Sequence, residues 1–99
     1  MKPKKLNICG KIYDIQWLKD RRLVHADGDA YGSCDYELNL IKVWDNGRKD
    51  DMFEWLLHES THAISGELGL DIDETRVNLL AAGMADFLTR NKIVDLERK

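Results

Sequence analysis

Proline is nearly missing from this chain, with Pro3 the only one in 99 residues. There is also no internal repeat, low-complexity segment or Pro/Gly/Ser-rich linker, so the expectation is a single domain over residues 1–99, with 1–5 and 92–99 as frayed tails. Cysteine is scarce as well. Cys9 and Cys34 cannot build a disulfide framework and form no CxxC pair, which excludes a Cys-rich metal site; both read as small core or strand residues in a reducing compartment. No apolar run is long enough for a signal-peptide core or a membrane span, so the expected location is cytoplasmic, with no membrane partner. An excess of charge is lacking too. The net charge of −3 and pI near 5.5 leave no clustered basic face, and nucleic acid is not expected as a partner.

What remains is the composition of one small globular domain, 43% hydrophobic and 33% charged. A chain of this size buries only about 60 to 70% of the surface its unfolded state exposes, so a bound metal adds usefully to its stability.

The division along the chain is strands first and helices second, an α+β class. Leu6, Ile8 and then Tyr13, Ile15 and Trp17 alternate on either side of Cys9-Gly10, which predicts a strand, a turn and a strand. Asp27-Gly28-Asp29 and Gly32-Ser33 are loop chemistry. Alternation resumes from Cys34 to Trp44, with Cys34, Tyr36, Leu38 and Leu40 on one face and Ile41 and Val43 on the other, so a third strand with both faces partly covered is expected. The sheet is thus a small antiparallel or mixed one of about three strands. Asp51 with Glu54 fits a capping box opening a first helix, whose apolar stripe is Phe53, Leu56, Leu57 and Ile64 and whose stop lies at Gly66 and Gly69. A second helix starts near Asp71 or Asp73 and runs to about Asn91, with Val77, Leu80, Ala81, Met84, Phe87 and Leu88 at helical spacing. Trp17, Trp44 and Trp55 are expected to pack the core.

The residues that carry chemistry are His58-Glu59-Ser60-Thr61-His62, an HExxH pattern inside the first predicted helix. At about 100° per residue the two histidines lie about 40° apart, one turn from each other, so both imidazoles reach one ion. Glu59 lies about 100° from His58 and about 60° from His62, placed to touch a metal-bound water without displacing it. Zinc is the expected metal and Glu59 the expected general base.

A catalytic zinc normally takes three protein ligands and keeps a fourth position for water. His25 is the one other histidine and lies far upstream. Glu67 is about 140° around the helix from His62 and points away. Asp71, Asp73 and Glu74 remain. Glu74 heads the apolar stripe of the second helix, where a buried carboxylate requires a cation or several donors. The competing reading makes Asp71-x-x-Glu74 a second capping box, with Glu74 bonded to its own helix N-terminus. Asn78, one turn on, is placed to orient Glu74.

The run from His58 to Ile64, followed by Asp73-Glu74-x-x-Val77-Asn78, resembles the small phage and prophage HExxH proteins related to the ImmA/IrrE-like metallopeptidases. Ile8-x-Gly10-x-x-Tyr13-x-Ile15 and Gly32-Ser33-Cys34-Asp35-Tyr36 look like the hairpin and strand that precede the helix there. The resemblance implies a minimal gluzincin-like domain, a zinc-dependent hydrolase of peptide or protein substrates, and Glu74 as third ligand in an ExxxN-type pattern with Asn78. One departure stands out: larger gluzincins stabilise the oxyanion with a downstream Tyr or His, and none follows His62 here. That task falls to Tyr36, Tyr31, His25 or the zinc alone. The rival expectation is a zinc-stabilised protein-binding module without significant hydrolysis. For a peptidase, the strand from Cys34 to Trp44 is the candidate edge for β-augmentation by an extended peptide.

Overall fold

The computed structural model describes residues 2–25 and 30–97, so the Asp27-Gly28-Asp29 loop lies outside the described residues. The fold is α+β: β1 (Lys5–Ile8), β2 (Lys11–Leu18), a 3₁₀ turn at Arg21–Leu23, β3 (Gly32–Asp35), β4 (Leu40–Trp44), α1 (Lys49–Leu68) and α2 (Glu74–Arg90). The sheet order is β1-β2-β4-β3. β1 and β2 form an antiparallel hairpin, β2 and β4 run parallel with Ile15 opposite Ile41, and β3 pairs antiparallel with β4 at the outer edge.

Two-residue hairpins favour turns with both central residues at positive φ. Cys9 (φ 53°) and Gly10 (φ 89°) take those places, and the Asn7 side chain accepts a hydrogen bond from the Gly10 amide at 2.8 Å. Cys9 is therefore an exposed turn residue, not the small core or strand residue expected, whereas Cys34 sits half-buried in β3.

The expected third strand is two strands. Asp35 Oδ1 accepts the amides of both Glu37 and Leu38 at 3.0 Å, and Asn39 takes φ 49°, which folds the chain back on itself between Asp35 and Leu40. Tyr36 and Leu38 belong to that turn and are exposed. The alternation of Cys34, Tyr36, Leu38 and Leu40 thus arose from two elements, and the sheet has four strands among the described residues.

α1 lies across one sheet face. Tyr13, Ile15, Ile41 and Val43 point up from the two central strands, Leu56 and Ala63 point down from the helix, and Trp17 and Trp55 pack against this cluster. The Trp17 indole also donates to the Pro3 carbonyl at 2.9 Å, and Lys2 pairs with Asp45 at 2.7 Å. At the other end Leu96 is buried with Phe53 and Ala85. These contacts hold described parts of both tails that were expected to fray.

Helix boundaries follow from their caps. α1 begins at Lys49, two residues before the expected Asp51 box; Asp51 Oδ2 instead accepts from the Asn46 side chain at 3.2 Å, while Asn46 Oδ1 accepts the Arg48 amide at 2.9 Å. Gly66 lies inside the helix. Gly69 ends it in the left-handed conformation (φ 68°), with the Leu70 amide closing onto the Ser65 carbonyl at 2.9 Å, the bond of a Schellman motif. Asp73 caps α2, accepting the Arg76 amide at 2.8 Å, and Asn91 terminates it.

The inward face of α2 is narrow and carries Val77, Ala81 and Ala85. Of the expected apolar stripe, Leu80, Met84 and Phe87 are exposed, as is Leu79 at 70%. The reason is geometric: the contact with α1 centres on small side chains, and Leu80 is about 100° round from Ala81. Ile64 of α1 is likewise exposed.

Candidate metal centre

One face of α1 carries the HExxH residues toward the start of α2. His58 and His62 lie one turn apart with ring centroids 4.9 Å from each other in an edge-on arrangement. Both turn Nε2 toward the same carboxylate: His58 Nε2 is 2.6 Å from Glu74 Oε1, and His62 Nε2 is 2.8 Å from Glu74 Oε2. Donor atoms of these three residues all lie within 4.8 Å of one another.

Glu74 reaches this position because Asp73 takes over the helix cap. The capping-box reading of Glu74 is thereby set aside, and Asp73 and Asp71 are not part of the cluster. Its side chain is 68% exposed, so the expectation of a carboxylate on a buried face was wrong. α2 meets α1 at its first turn with Glu74 reaching out from the seam. Asn78 lines the same cavity as Glu74 but makes no hydrogen bond to it among the described residues.

Glu59 is buried, 7% exposed, with Oε2 3.9 Å from His58 Nε2. Burial, aided by the Glu74 charge, pushes its carboxyl up to about 8. A divalent cation held by the three donors would neutralise Glu74 and attract a negative charge on Glu59, returning it toward the ionised form a base requires. Two imidazole nitrogens and a carboxylate make a donor set typical of catalytic zinc, which would need one further ligand such as water.

Two residues hold this arrangement from the sheet side. Gly32, on edge strand β3, lies against Glu59: a Cβ there would come within 2.8 Å of its Cγ and Oε2. Tyr36 lays its ring on Gly66, where a Cβ would be 2.6 Å from the ring, and donates its hydroxyl to the His62 carbonyl at 3.1 Å. These contacts explain both glycines. Neither was legible in the sequence, because Gly32 depends on Glu59 and Gly66 on Tyr36, 27 and 30 positions away.

Of the candidate oxyanion groups, Tyr36 and His25 line a 470 Å³ cavity with His58, Glu59 and His62. Tyr31 does not line that cavity; it belongs to a cluster of near-parallel rings with Trp55 (centroids 4.8 Å apart) and Trp44 (5.9 Å). Tyr31 and Trp55 of this cluster wall a 440 Å³ cavity that His58, Glu59 and Glu74 also line, an arrangement hidden from sequence because the two rings come from separate segments. The Trp44 indole donates to the Lys19 carbonyl at 3.1 Å.

No protein-family model, curated protein or solved structure matches this chain. The functional reading therefore rests on the site's own geometry and chemistry. Among the described residues, no helix is long and apolar enough to cross a membrane.

Proposed function

We propose that this protein is a zinc-dependent metallopeptidase, with His58, His62 and Glu74 holding the metal and Glu59 as general base. The observation that carries the reading is the convergence of both imidazole Nε2 atoms on one carboxylate from another helix, with a buried glutamate beside them. Zinc in such a site supplies a Lewis acid toward the substrate carbonyl and lowers the pKa of its water to about 7. Glu59 accepts the proton of the attacking water and delivers it to the leaving amine. The burial of Glu59 keeps bulk water from competing for that proton, and Gly32 gives it room. Edge strand β3 runs beside Glu59 and among the described residues pairs on one side only, which suits an extended peptide adding along it. The reading agrees with the sequence resemblance to phage and prophage HExxH proteins and with a cytoplasmic peptide or protein substrate.

The rival reading, a zinc-stabilised binding module, is favoured by one observation. The Tyr36 hydroxyl is committed to the His62 carbonyl and so is not poised for an oxyanion. Substitution separates the two. Protein purified without a metal-affinity column is expected to carry about one zinc per chain. Glu59→Gln should retain that zinc and lose cleavage of a peptide library, and His62→Ala should lose both. A wild type as inert as Glu59→Gln toward its natural partner would establish the binding module, and folded protein free of metal would end both readings.

A further inference from the structure

Resting on the peptidase reading, we infer that the peptide entering this site presents a lysine or arginine side chain, seated on Trp55 and Tyr31 and paired with Glu54. α1 turns Glu54, Trp55, His58, Glu59 and His62 toward one groove, an arc of about 140° on its surface. The 440 Å³ cavity next to Glu59 is walled by the Tyr31 and Trp55 rings, 4.8 Å apart and within 10° of parallel, and Glu54 opens into it. Glu54 is half-buried and forms no ion pair or hydrogen bond through its side chain among the described residues. Among the described residues no lysine or arginine lines this cavity; Lys19 and Arg48 lie in the neighbouring one, beyond Trp55.

The ring cluster already receives a cation within the chain. The Arg21 guanidinium lies 5.4 Å from the ring centroids of both Tyr31 and Trp44. A planar guanidinium can lie on an aromatic face while its N–H groups reach a carboxylate, so one basic side chain engages both features of the cavity. A neutral aromatic side chain would stack on the rings but leave the Glu54 carboxylate partly desolvated and unpaired, which costs free energy.

The test uses Glu59→Gln protein as purified, to prevent turnover, and capped alanine hexapeptides carrying one arginine, citrulline or phenylalanine. Citrulline keeps the shape of arginine and removes its charge. Binding followed by tryptophan fluorescence is expected to favour arginine over citrulline by about tenfold, the sum of a modest ion pair and a cation–π contact. Adding Glu54→Gln should cut the preference to the few-fold share of the cation–π contact with zinc content unchanged, and Trp55→Leu should weaken arginine binding. Equal affinity for arginine and citrulline, or tighter binding of phenylalanine, overturns the inference. If Trp55→Leu does not fold, Glu54→Gln alone decides. Wild-type turnover of the same peptides distinguishes the two levels. Cleavage indifferent to the basic residue removes this subsite and leaves the peptidase, whereas charge-selective binding without any turnover removes the peptidase and leaves the subsite.

Discussion

Gly32 and Glu59 are packed so closely that a single methyl group does not fit between them: a Cβ on Gly32 would lie 2.8 Å from both Cγ and Oε2 of Glu59. Gly32→Ala is expected to push the Glu59 carboxylate aside without touching His58, His62 or Glu74. Peptide turnover should fall about 100-fold, the scale of a displacement near 1 Å in a catalytic group. Zinc content should stay at the wild-type level. Parallel metal analysis and kinetics check this, and loss of both together would place the effect in the fold.

Metal removal provides a second prediction. A ligand at about 100 times its dissociation constant stabilises the folded state by about 2.7 kcal/mol. For a domain of this size each kcal/mol moves Tm by about 4 to 8 °C. Chelation should therefore lower Tm by roughly 10 to 20 °C, and Glu74→Ala protein should show no such difference. Differential scanning calorimetry with and without chelator reads both.

Tyr13 and Glu67 give a pH prediction away from the site. The buried Tyr13 hydroxyl donates to Glu67 Oε1 at 2.8 Å, and Lys11 Nζ lies 3.1 Å from the other oxygen. Burial, with the hydrogen bond and the charge of Glu67, raises the phenol well above its usual value. A raised folded value means that the folded chain keeps a proton the unfolded chain releases, so this stability is present below about pH 10 and is lost as pH climbs beyond it. Denaturant titrations at about pH 9 and about pH 11 should show a larger loss for wild type than for Tyr13→Phe.

The two cysteines should react at very different rates. Cys9 is exposed in the hairpin turn, whereas burial first, and then the charge of Glu59, pushes the Cys34 thiol up to about 12. The thiolate is the reactive form. Iodoacetamide at about pH 8 should label Cys9 promptly and Cys34 only after denaturation, as followed by peptide mass spectrometry.

The fold class and the helix ends were largely legible because local chemistry sets them. Cys9-Gly10 marks its turn, Gly69 stops α1 and Asn91 ends α2. The β3–β4 boundary was not. Tyr36 and Leu38 continue the alternation through a turn whose signal, the Asp35 side chain on two amides, becomes evident only when the chain is folded. At the site, the approach of His58 to His62 follows from the helical period. Glu74 was singled out for a wrong reason, burial, and is in fact exposed, although it lies against both histidines. Gly32, Gly66 and the Tyr31–Trp55 wall depend on contacts between distant segments, for which a single sequence offers no period to read.

The two histidines and Glu74 sit on different helices; near the site the α2 side of the seam carries the small Val77 and Ala81, while the larger apolar contacts, Phe53 and Leu57 with Leu88 and Leu96, lie at the far end of α2. An ion shared across that seam would act as a clasp on α2, making its local opening depend on occupancy while the β-sheet beneath stays closed. Backbone amides of residues 77–85 should then exchange with solvent faster in chelated protein, and those of β2 and β4 should not change. Exchange of α2 thus becomes a gauge of metal occupancy that requires no substrate.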